Sequence, residues 1–452
     1  MSKYDVIILG KGPAGIIAGV TAKKQNPDKS ILLIGEEEKG LVPCGIPYIF
    51  HRLKDVSKNA MGPKPFIDAG GEVLVDTAIN VDYDSKKVSL KSGKVLEFDR
   101  LVFATGSIPV IPKFIEGYAL EGVYYIKKSY SYIEQLKEEA SKAKNIVVIG
   151  GGFIGAEVAE QMHLQGESKV TLVELESQCF SKAFSRELAE VATDKLRETG
   201  LTVHTSTKVE KLEGKDGKVT AVVTDKAGSI EADMVIMSIG YKPNTELAQN
   251  SGLELNSIGA IRIDNFGRTA KDKVYAVGDC AGTIGFLTGR EDTIMLASTA
   301  TAEARILGYN MFGIKIKRCF SGTLGVFSTE VNGFSMASAG VNENTADEAG
   351  VLYLTTKFSD VDRHPGTLDD TMPLTVRLFA SVSDGSILGG EVWGGKSSGE
   401  IINTIALAIQ KRVTVYELVS FQIGSHPLLT AAPTKTVLIK AAEGIIAQLH
   451  KQ

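Results

Sequence analysis

The stretch YDVIILGKGPAG, residues 4–15, decides the fold of this chain. Its first six residues form a nearly continuous apolar run, which is typical of a β-strand buried on both faces of a parallel sheet. A helical pattern begins after the glycines, and SILLI at residues 30–34 has the pattern of the next parallel strand. The order of strand, glycine-rich turn, helix and strand predicts a Rossmann-like unit. The glycines follow the first strand at G-x-G-x-x-G spacing: Gly10, Gly12 and Gly15.

The same arrangement recurs further along the chain. NIVVI at residues 145–149 and KVTLV at residues 169–173 have the pattern of two more parallel strands. The glycines between them have the same spacing: Gly150, Gly152 and Gly155. The first glycines of the two copies are 140 residues apart (150 − 10), a period too long for a solenoid. We therefore interpret the pattern as the duplication of a whole dinucleotide-binding unit, since each motif follows a strand and opens a helix.

The glycine spacing has a specific physical purpose. The first glycine makes the tight turn, the second lets the backbone approach a pyrophosphate, and the third lets helix pack on strand. The helix N-terminus then supplies partial positive charge to the phosphates. At the first turn we predict that the cofactor-binding residues are Gly10, Gly12, Pro13, Ala14 and Gly15. At the second turn they are Gly150, Gly152, Phe153, Ile154 and Gly155.

The pattern changes after about residue 322. Strand-like stretches at residues 323–327, 374–380 and 387–393 surround a helical segment at residues 399–411, and no nucleotide fingerprint is present there. This pattern indicates a separate α+β domain. The predicted fold class is α/β, with two Rossmann-like dinucleotide-binding domains and a C-terminal α+β domain.

Composition excludes several classes of protein. The chain has 452 residues, of which 43% are hydrophobic and 23% charged, and its formal net charge is −4. Without a basic run we expect no nucleic-acid partner. No apolar stretch approaches the roughly 20 residues of a membrane span, and the first residues lack a signal-peptide pattern, so we expect no membrane partner and a cytoplasmic location. The four cysteines have no metal-ligand spacing, and we predict no metal site.

Two fingerprints in this order, with a third domain behind them, resemble the FAD-dependent pyridine nucleotide–disulfide oxidoreductases. The resemblance runs from about residue 3 to residue 435. Four further motifs carry it: LVFATG (101–106), MSIGYKPN (237–244), VYAVGD (274–279) and ILGGEVWG (387–394). The last of these is similar to a strand of the family's dimerisation domain.

The resemblance implies a domain plan and the cofactors FAD and NADH. FAD would lie on residues 1–112 together with residues 243–321. The NAD domain, residues 113–242, would be inserted between them, and residues 322–452 would form the interface of a homodimer. Asp279 would bind the ribityl chain of FAD. The other cofactor contacts that the motifs imply are Thr105, Gly106, Gly240 and Gly278.

An acidic side chain at the end of the second strand of a Rossmann unit accepts hydrogen bonds from a ribose 2′-OH and repels a 2′-phosphate. In the second unit this position is Glu174, which stands 24 residues after Gly150 (174 − 150) with no arginine nearby. NADH is therefore favoured over NADPH. In the first unit Gly35 stands where the acid is often found, and Glu36 is our candidate for the adenosine ribose of FAD.

Cys44 lies in VPCGIPY, shortly after the second strand of the first unit. Two-cysteine members of the family carry C-x-x-x-x-C here, but this chain has Ile49 at the second position. It resembles the single-cysteine branch: CoA-disulfide reductases, NADH peroxidases, water-forming NADH oxidases, and persulfide or polysulfide reductases. CGIPY is most similar to the CoA-disulfide and sulfur reductase members.

One cysteine suffices for this chemistry. A thiolate attacks a disulfide or persulfide sulfur and forms a mixed disulfide, and with a peroxide it forms a sulfenic acid. We expect Cys44 to stand where a helix begins. A helix N-terminus lowers the pKa of a thiol. For the other cysteines we expect structural positions: Cys179, Cys280 and Cys319.

Breaking a disulfide also needs an acid for the leaving thiolate. His426 lies in GSHPLLT, and glutathione-reductase-like members place a His-Pro pair in a comparable region, facing the cysteine of the partner subunit. The glutamate that follows in those members has no counterpart here, and Phe421 stands where CoA-disulfide reductases carry a tyrosine. We predict that His426 is the acid and that His364 stabilises a loop.

Three functions remain open from the sequence. The leading hypothesis is an NADH-dependent reductase of a small disulfide, persulfide or polysulfide. The second is an NADH oxidase or peroxidase, which would use the same residues. The third is an electron-transfer reductase of a small redox protein such as rubredoxin, which would not need Cys44.

Overall fold

The computed structural model describes residues 2–317 and 320–451, and the chain divides into two compact units. The first unit comprises Met1–Pro112, Tyr124–Lys142 and Ile239–Thr323. The second comprises Lys113–Val123, Ala143–Ser238 and Leu324–Gln452. The two glycine fingerprints therefore lie in different units.

The first unit is built on a seven-stranded sheet. The strand Lys3–Leu9 pairs in parallel with Ile31–Gly35 on one side and Val95–Phe103 on the other. Val6 and Ile8 enter one hydrophobic cluster, whereas Ile7 and Leu9 enter a second cluster on the opposite face. Both faces of the strand are covered, and this explains its continuous apolar run. The remaining strands of the sheet are Glu72–Val75, Ala78–Asp82, Lys87–Leu90 and Val274–Ala276.

Short strand pairs and helices complete the first unit. The pairs are Gly40–Leu41 with Ala60–Met61, Ser107–Pro109 with Tyr241–Pro243, and Thr283–Ile284 with Glu291–Asp292. The helices are Pro13–Gln25, Lys64–Asp68, Tyr130–Lys142, Glu246–Asn250 and Ala297–Asn310. Single turns of 3₁₀-helix occupy Pro43–Gly45, Pro47–Ile49, Val56–Asn59 and Gly278–Cys280.

The second unit contains a parallel sheet and two antiparallel sheets. The parallel sheet has the neighbours Met234–Met237, Asn145–Ile149, Lys169–Val173 and Thr202–His204. The strand Val123–Tyr125 spans the boundary between the units. The three-stranded antiparallel sheet contains Val209–Lys215, Lys218–Thr224 and Gly228–Glu231. The five-stranded sheet has the order Val326–Val331, Phe334–Gly340, Ile387–Gly394, Pro373–Ser381 and Tyr353–Val361.

Among the residues that the structure describes, six α-helices accompany these sheets: Phe153–Gln165, Arg186–Glu198, Glu343–Ala349, Ser398–Gln410, Val415–Leu418 and Val437–Leu449. The turn Pro433–Lys435 is 3₁₀-helical. The predicted fold class is confirmed, with Rossmann-type parallel strands at the core of one sheet in each unit and an α+β C-terminal part. Within the described ranges, no helix has the length and apolar character needed to cross a membrane.

Candidate active site and cofactor sites

The first fingerprint forms a turn that only glycine permits at two positions. Gly10 has a φ of +114°, and a Cβ there would lie 2.1 Å from the carbonyl oxygen of Ala104. A Cβ at Gly15 would lie 1.9 Å from the carbonyl oxygen of Gly10, so the helix packs directly on the turn. At Gly12, by contrast, no atom of the described chain lies within 4 Å of such a Cβ. The open face of Gly12 leaves room for a phosphate group.

The helix that follows has a free N-terminus. Pro13 is its first residue, and no side chain caps it at Gly12. Its first amides are therefore available to an anion, as a bound pyrophosphate requires. The residues present at this turn fit the pyrophosphate of FAD.

The sheet brings the VYAVGD motif against the first fingerprint. Val274–Ala276 pairs in parallel with Val95–Phe103, the strand that also pairs with Lys3–Leu9. Gly278 has a φ of +75°, and a Cβ there would lie 2.9 Å from the Cβ of Ala14. Two motifs that are more than 250 residues apart in the chain therefore meet side by side.

Asp279 is held by two side chains that the sequence did not indicate. Its Oδ2 accepts a hydrogen bond from Ser107 Oγ at 2.7 Å and from Lys128 Nζ at 2.8 Å. Lys128 also lies over the ring of Tyr241, 5.1 Å from its centroid. Ser107 directly follows the LVFATG motif and could have been suspected from its place. Lys128 stands in no motif, and no sequence signal pointed to it.

The motifs at residues 101–106 and 237–244 also meet. Thr105 Oγ1 donates to the carbonyl oxygen of Asn244 at 2.6 Å, and the N–H of Asn244 donates to the carbonyl oxygen of Gly106 at 2.9 Å. Gly106 and Gly240 both have positive φ, at +71° and +119°. These contacts bring Thr105 and Gly106 against Asn244, and the carbonyl oxygen of Gly240 accepts a hydrogen bond from the N–H of Val110 at 3.0 Å. The contact of these residues with a cofactor stays a prediction.

The three glutamates after the second strand have different surroundings. Glu37 accepts hydrogen bonds from Ser129 Oγ and Ser131 Oγ at 2.6 Å and from Tyr130 N at 2.7 Å. Burial opposes ionisation, but these bonds outweigh it and lower the pKa of Glu37. Its carboxylate is thus engaged at the start of the helix Tyr130–Lys142, whereas Glu36 is exposed. Glu36 remains our prediction for the adenosine ribose.

Lys11 occupies the space beside Gly35. A Cβ at Gly35 would lie 2.5 Å from Lys11 Cγ, so no larger residue fits there without moving the lysine. Lys11 Nζ donates to the carbonyl oxygen of Glu38 at 2.7 Å. An acid at position 35 would have to displace this lysine side chain.

The second fingerprint repeats the geometry of the first. Gly150 has a φ of +103°, and a Cβ at Gly155 would lie 1.9 Å from the carbonyl oxygen of Gly150. No described atom lies within 4 Å of a Cβ at Gly152, and no side chain caps the helix Phe153–Gln165 there. The residues at this turn therefore fit a second pyrophosphate. Ile154 and Phe153 begin the helix, and Phe153 stacks on Phe327 with a centroid distance of 5.4 Å.

Glu174 follows directly after the strand Lys169–Val173. One of its carboxylate oxygens accepts a hydrogen bond from the N–H of Gly151, and the other accepts from the N–H of Glu176 at 2.6 Å. Two backbone donors therefore fix the orientation of the carboxylate beside the second fingerprint. Its contact with a ribose stays a prediction.

Cys44 is exposed, but it does not stand at the start of an α-helix. The expectation of a helix N-terminus at Cys44 is wrong, because the residue lies in the single 3₁₀ turn Pro43–Gly45 and a second turn follows at Pro47–Ile49. Pro47 has no N–H to donate, so the hydrogen-bond ladder of an α-helix breaks there.

Asn59 packs against the turn that contains Cys44. This role was not indicated by the sequence. It is 4% exposed, and its Nδ2 donates to the carbonyl oxygen of Val42 at 3.0 Å. The N–H of Val42 donates in return to the carbonyl oxygen of Asn59 at 3.0 Å. A Cβ at Gly45 would lie 2.0 Å from Asn59 Oδ1, so this side chain packs against the turn. A single asparagine carries no motif that could have revealed this role.

The other cysteines of the described chain are buried. Burial raises the pKa of Cys179 to about 12, and the charge of Glu174 adds to the rise. Cys280 is fully buried, and burial raises its pKa as well. Of the cysteines that the structure describes, Cys44 alone is exposed. Cys319 lies outside the described residues.

His426 lies on an exposed segment of the second unit, whereas Cys44 belongs to the first unit. Its Nδ1 accepts a hydrogen bond from the N–H of Leu428 at 3.2 Å, which leaves the proton of a neutral ring on Nε2. His364 braces the same segment, because its Nδ1 lies 2.9 Å from the carbonyl oxygen of Thr430. The acid role of His426 stays a prediction.

Comparison with known proteins identifies the family of both parts of the chain. Residues 4–304 match the family described as "Pyridine nucleotide-disulphide oxidoreductase", and residues 326–437 match its dimerisation domain. An "NADH oxidase" of Methanocaldococcus jannaschii is 30% identical over 93% of this chain and 94% of its own length. An "NAD(P)H sulfur oxidoreductase (CoA-dependent)" of Pyrococcus abyssi is 33% identical over 77% of this chain and 78% of its own. The solved structure of an NAD-dependent persulfide reductase from A. fulgidus is 29% identical, with a TM-score of 0.89, and the match covers 99% of this chain and 84% of that one.

Proposed function

This chain belongs to the pyridine nucleotide-disulphide oxidoreductase family, and we propose that it passes electrons from NADH to a small disulfide, persulfide or polysulfide through FAD and Cys44. The observation that carries the proposal is the exposure of Cys44 in a turn fixed by Asn59. The sulfur-metabolising relatives from Pyrococcus abyssi and A. fulgidus support this class of acceptor.

Two cofactor sites follow from the two fingerprints. FAD would lie on the turn of Gly10, Gly12 and Gly15, with Asp279 at its ribityl chain. NADH would lie on the turn of Gly150, Gly152 and Gly155, with Glu174 at its adenosine ribose. When bound, FAD would supply the redox chemistry by which the two electrons of NADH reach the thiol site and reduce the mixed disulfide there.

The protein's own residues provide the thiol chemistry. The thiolate of Cys44 attacks one sulfur of the acceptor, the sulfur–sulfur bond breaks, and a mixed disulfide forms at Cys44. The leaving thiolate takes a proton, for which we propose His426 of a second copy in a homodimer. The Asn59 contacts keep the cysteine in one position for this attack.

A second candidate function is the reduction of oxygen or hydrogen peroxide. The M. jannaschii relative, whose similarity extends over most of both chains, is named as an NADH oxidase. Both functions would use Cys44, so the geometry of the turn serves either one.

An anaerobic acceptor panel distinguishes these candidates. The purified enzyme is given NADH and, in turn, CoA disulfide, polysulfide and hydrogen peroxide, with oxygen added in a separate arm. We expect the sulfur acceptors to give the highest kcat/KM. A preference for oxygen or peroxide would replace the leading proposal by the second.

The Cys44→Ser variant tests the role of the thiol in the same panel. A serine hydroxyl cannot hold a mixed disulfide, so we expect disulfide reduction to fall to background while NADH still reduces artificial dyes. Cys179→Ala is the matched control, because its thiol is buried and its pKa is raised by burial. If Cys44→Ser keeps the parental rate with every thiol acceptor, the electron-transfer role without a reactive cysteine becomes the better explanation.

A further inference from the structure

Glu303 is a buried acidic side chain that the proposed chemistry does not use. It lies on the helix Ala297–Asn310 and is 7% exposed. Its Oε2 accepts a hydrogen bond from the N–H of Gly278 at 2.9 Å. Among the described residues no other donor reaches this carboxyl group. An acid so deeply buried with a single backbone donor needs a reason for its place.

Glu303 also lines two small surface pockets. The first is lined as well by Asp279, Thr299 and Ala300. The second is lined as well by Asp264, Thr283 and Ile306. The carboxyl group therefore stands between the backbone of the VYAVGD motif and open space beside Asp279.

The charged groups around Glu303 are mainly acidic. Asp279 follows Gly278 directly, Asp292 lines the first pocket and Asp264 lines the second. Two of these acids are paired with cations, Asp279 with Lys128 and Asp264 with Arg268. On the helix of Glu303 itself the other charged residue, Arg305, is exposed.

The helix Pro13–Gln25 packs against the helix of Glu303, Ala297–Asn310, through uncharged side chains. It contributes Ala14, Ala18 and Thr21 to the contacts with Gly278, Ala304 and Gly308. Burial raises the pKa of Glu303 to about 8, and the charge of Asp279 adds to this rise. At neutral pH the side chain is therefore a neutral acid.

We propose that Glu303 is a positioning residue that holds the Gly278 peptide and thereby aims Asp279 at FAD, and that FAD binds best while this side chain is uncharged. Gly278 has no side chain, and its Cα lies against Ala14 and Ala300, so its orientation has to be fixed through the backbone. The bond from its N–H to Glu303 provides this, together with the bond that its carbonyl oxygen accepts from the N–H of Ala281 at 2.8 Å. The inference rests on the proposed FAD site.

Ionisation of Glu303 would oppose FAD binding for an electrostatic reason. It would place a second carboxylate beside that of Asp279, and FAD is itself an anion. Well below its pKa of about 8 Glu303 is protonated, and its titration leaves FAD affinity constant. Above pH 8 the free protein loses the proton that the FAD complex retains, so affinity falls by up to about tenfold per pH unit.

The test measures FAD affinity by fluorescence between pH 6 and 9.5 at constant ionic strength. We expect the parent protein to lose about tenfold in affinity between pH 7 and pH 9. Glu303→Gln keeps an oxygen that accepts from Gly278 and cannot ionise, so its affinity should stay flat. Glu303→Leu removes the acceptor and should bind FAD weakly at every pH.

Glu157→Gln is the matched control. Glu157 is a buried glutamate of the second unit, and burial raises its pKa to about 7. This variant should keep the parental pH profile. A flat pH profile in the parent, or the same loss of FAD affinity in Glu303→Gln, overturns the inference but not the proposed function. A protein that binds no FAD at any pH contradicts both the inference and the proposed function.

Discussion

Asn59 fixes the cysteine turn through one side-chain bond and one backbone bond to Val42. The side-chain bond is the part that a substitution can remove. Because the carbonyl oxygen of Val42 also accepts from the N–H of Gly45, at 3.0 Å, the loss would loosen the turn on both sides of Cys44. Small displacements of a nucleophile are costly in catalysis.

We therefore predict that Asn59→Ala slows disulfide turnover by about 10–100-fold while the reduction of artificial dyes by NADH is retained. Steady-state kinetics with both acceptors measures this. Asn26→Ala is the control, since Asn26 Nδ2 makes a comparable bond to a backbone carbonyl, that of Ala22 at 3.0 Å, at the end of another helix. Equal losses with disulfide and dye in Asn59→Ala would show a general loss of folding and not a positioning role.

Glu174 offers a test of the nicotinamide preference. Its carboxylate accepts from two backbone amides, so replacement by alanine would also leave those donors unpaired. Glu174→Gln keeps an acceptor and removes the charge. We predict that the gap in kcat/KM between NADH and NADPH narrows by about 1–3 kcal/mol, because the repulsion of a 2′-phosphate is lost. A parent enzyme that prefers NADPH would contradict the assignment of this residue.

At the scale of secondary structure, the helix Tyr130–Lys142 begins on the carboxylate of Glu37. Three donors at its first residues, from Ser129, Tyr130 and Ser131, bond to this one acid. An acceptor at this end of a helix contributes about 0.5–2 kcal/mol to stability. The pKa of Glu37 is lowered, so this contribution is present above the usual glutamate pKa of about 4.3 and is lost as pH falls through the lower folded value.

We predict that Glu37→Gln lowers the free energy of unfolding of the flavin-free protein at pH 7 by about 0.5–2 kcal/mol. The difference from the parent should shrink as the pH falls below about 4. Urea unfolding at a series of pH values measures both effects. Glu36→Gln changes an exposed neighbour and should leave the free energy of unfolding within about 0.5 kcal/mol of the parent. A pH-independent difference would mean that the charge of Glu37 is not what stabilises the helix start.

The strands and turns of this fold differ in how well the sequence predicts them. Residues 145–149 and 169–173 form strands with the predicted bounds, because continuous apolar runs specify buried parallel strands. The predicted helix start at Cys44 is a single 3₁₀ turn, because Pro47 has no N–H to continue the hydrogen-bond ladder of an α-helix. Lys128 and Glu303 could not be found, because their roles arise only when distant segments meet.

At the scale of the whole molecule, the second fingerprint and the C-terminal sheet belong to one compact unit. Three buried glutamates bond across this unit. Glu157 accepts from Thr329 Oγ1 at 2.8 Å, and Glu160 accepts from the N–H of Asn332 at 2.7 Å. Glu391 accepts from the N–H and Oγ of Ser185, both at 2.6 Å.

These contacts explain why the chain does not divide where its sequence motifs change. The motifs predict an NAD domain at residues 113–242 and an interface domain at residues 322–452, and those boundaries remain a prediction. Ordinary glutamates carry no signal that they will bond to residues more than 150 positions away. Packing between the two predicted domains is therefore the part of the fold that the sequence could least reveal.

A further prediction at the scale of the whole molecule concerns His426. This residue belongs to the second compact unit, whereas Cys44 belongs to the first. If the chain forms the homodimer that its dimerisation domain suggests, His426 could serve the cysteine of the other copy. We predict that His426→Ala slows disulfide turnover by about 10²–10⁴-fold and leaves the reduction of flavin by NADH intact. His364→Ala is the control for mere loosening of the segment, because His364 braces it through the carbonyl oxygen of Thr430.

Mixing two inactive variants tests whether His426 acts across the dimer. In a hybrid of one Cys44→Ser chain and one His426→Ala chain, action between subunits leaves one complete site, formed by the cysteine of the second chain and the histidine of the first. Action within one subunit leaves none. We therefore expect disulfide reduction to reappear when the two variants are unfolded together and refolded, at up to half of the parental activity per hybrid dimer. Hybrids that form but remain inactive would rule out that His426 of one subunit serves the cysteine of the other.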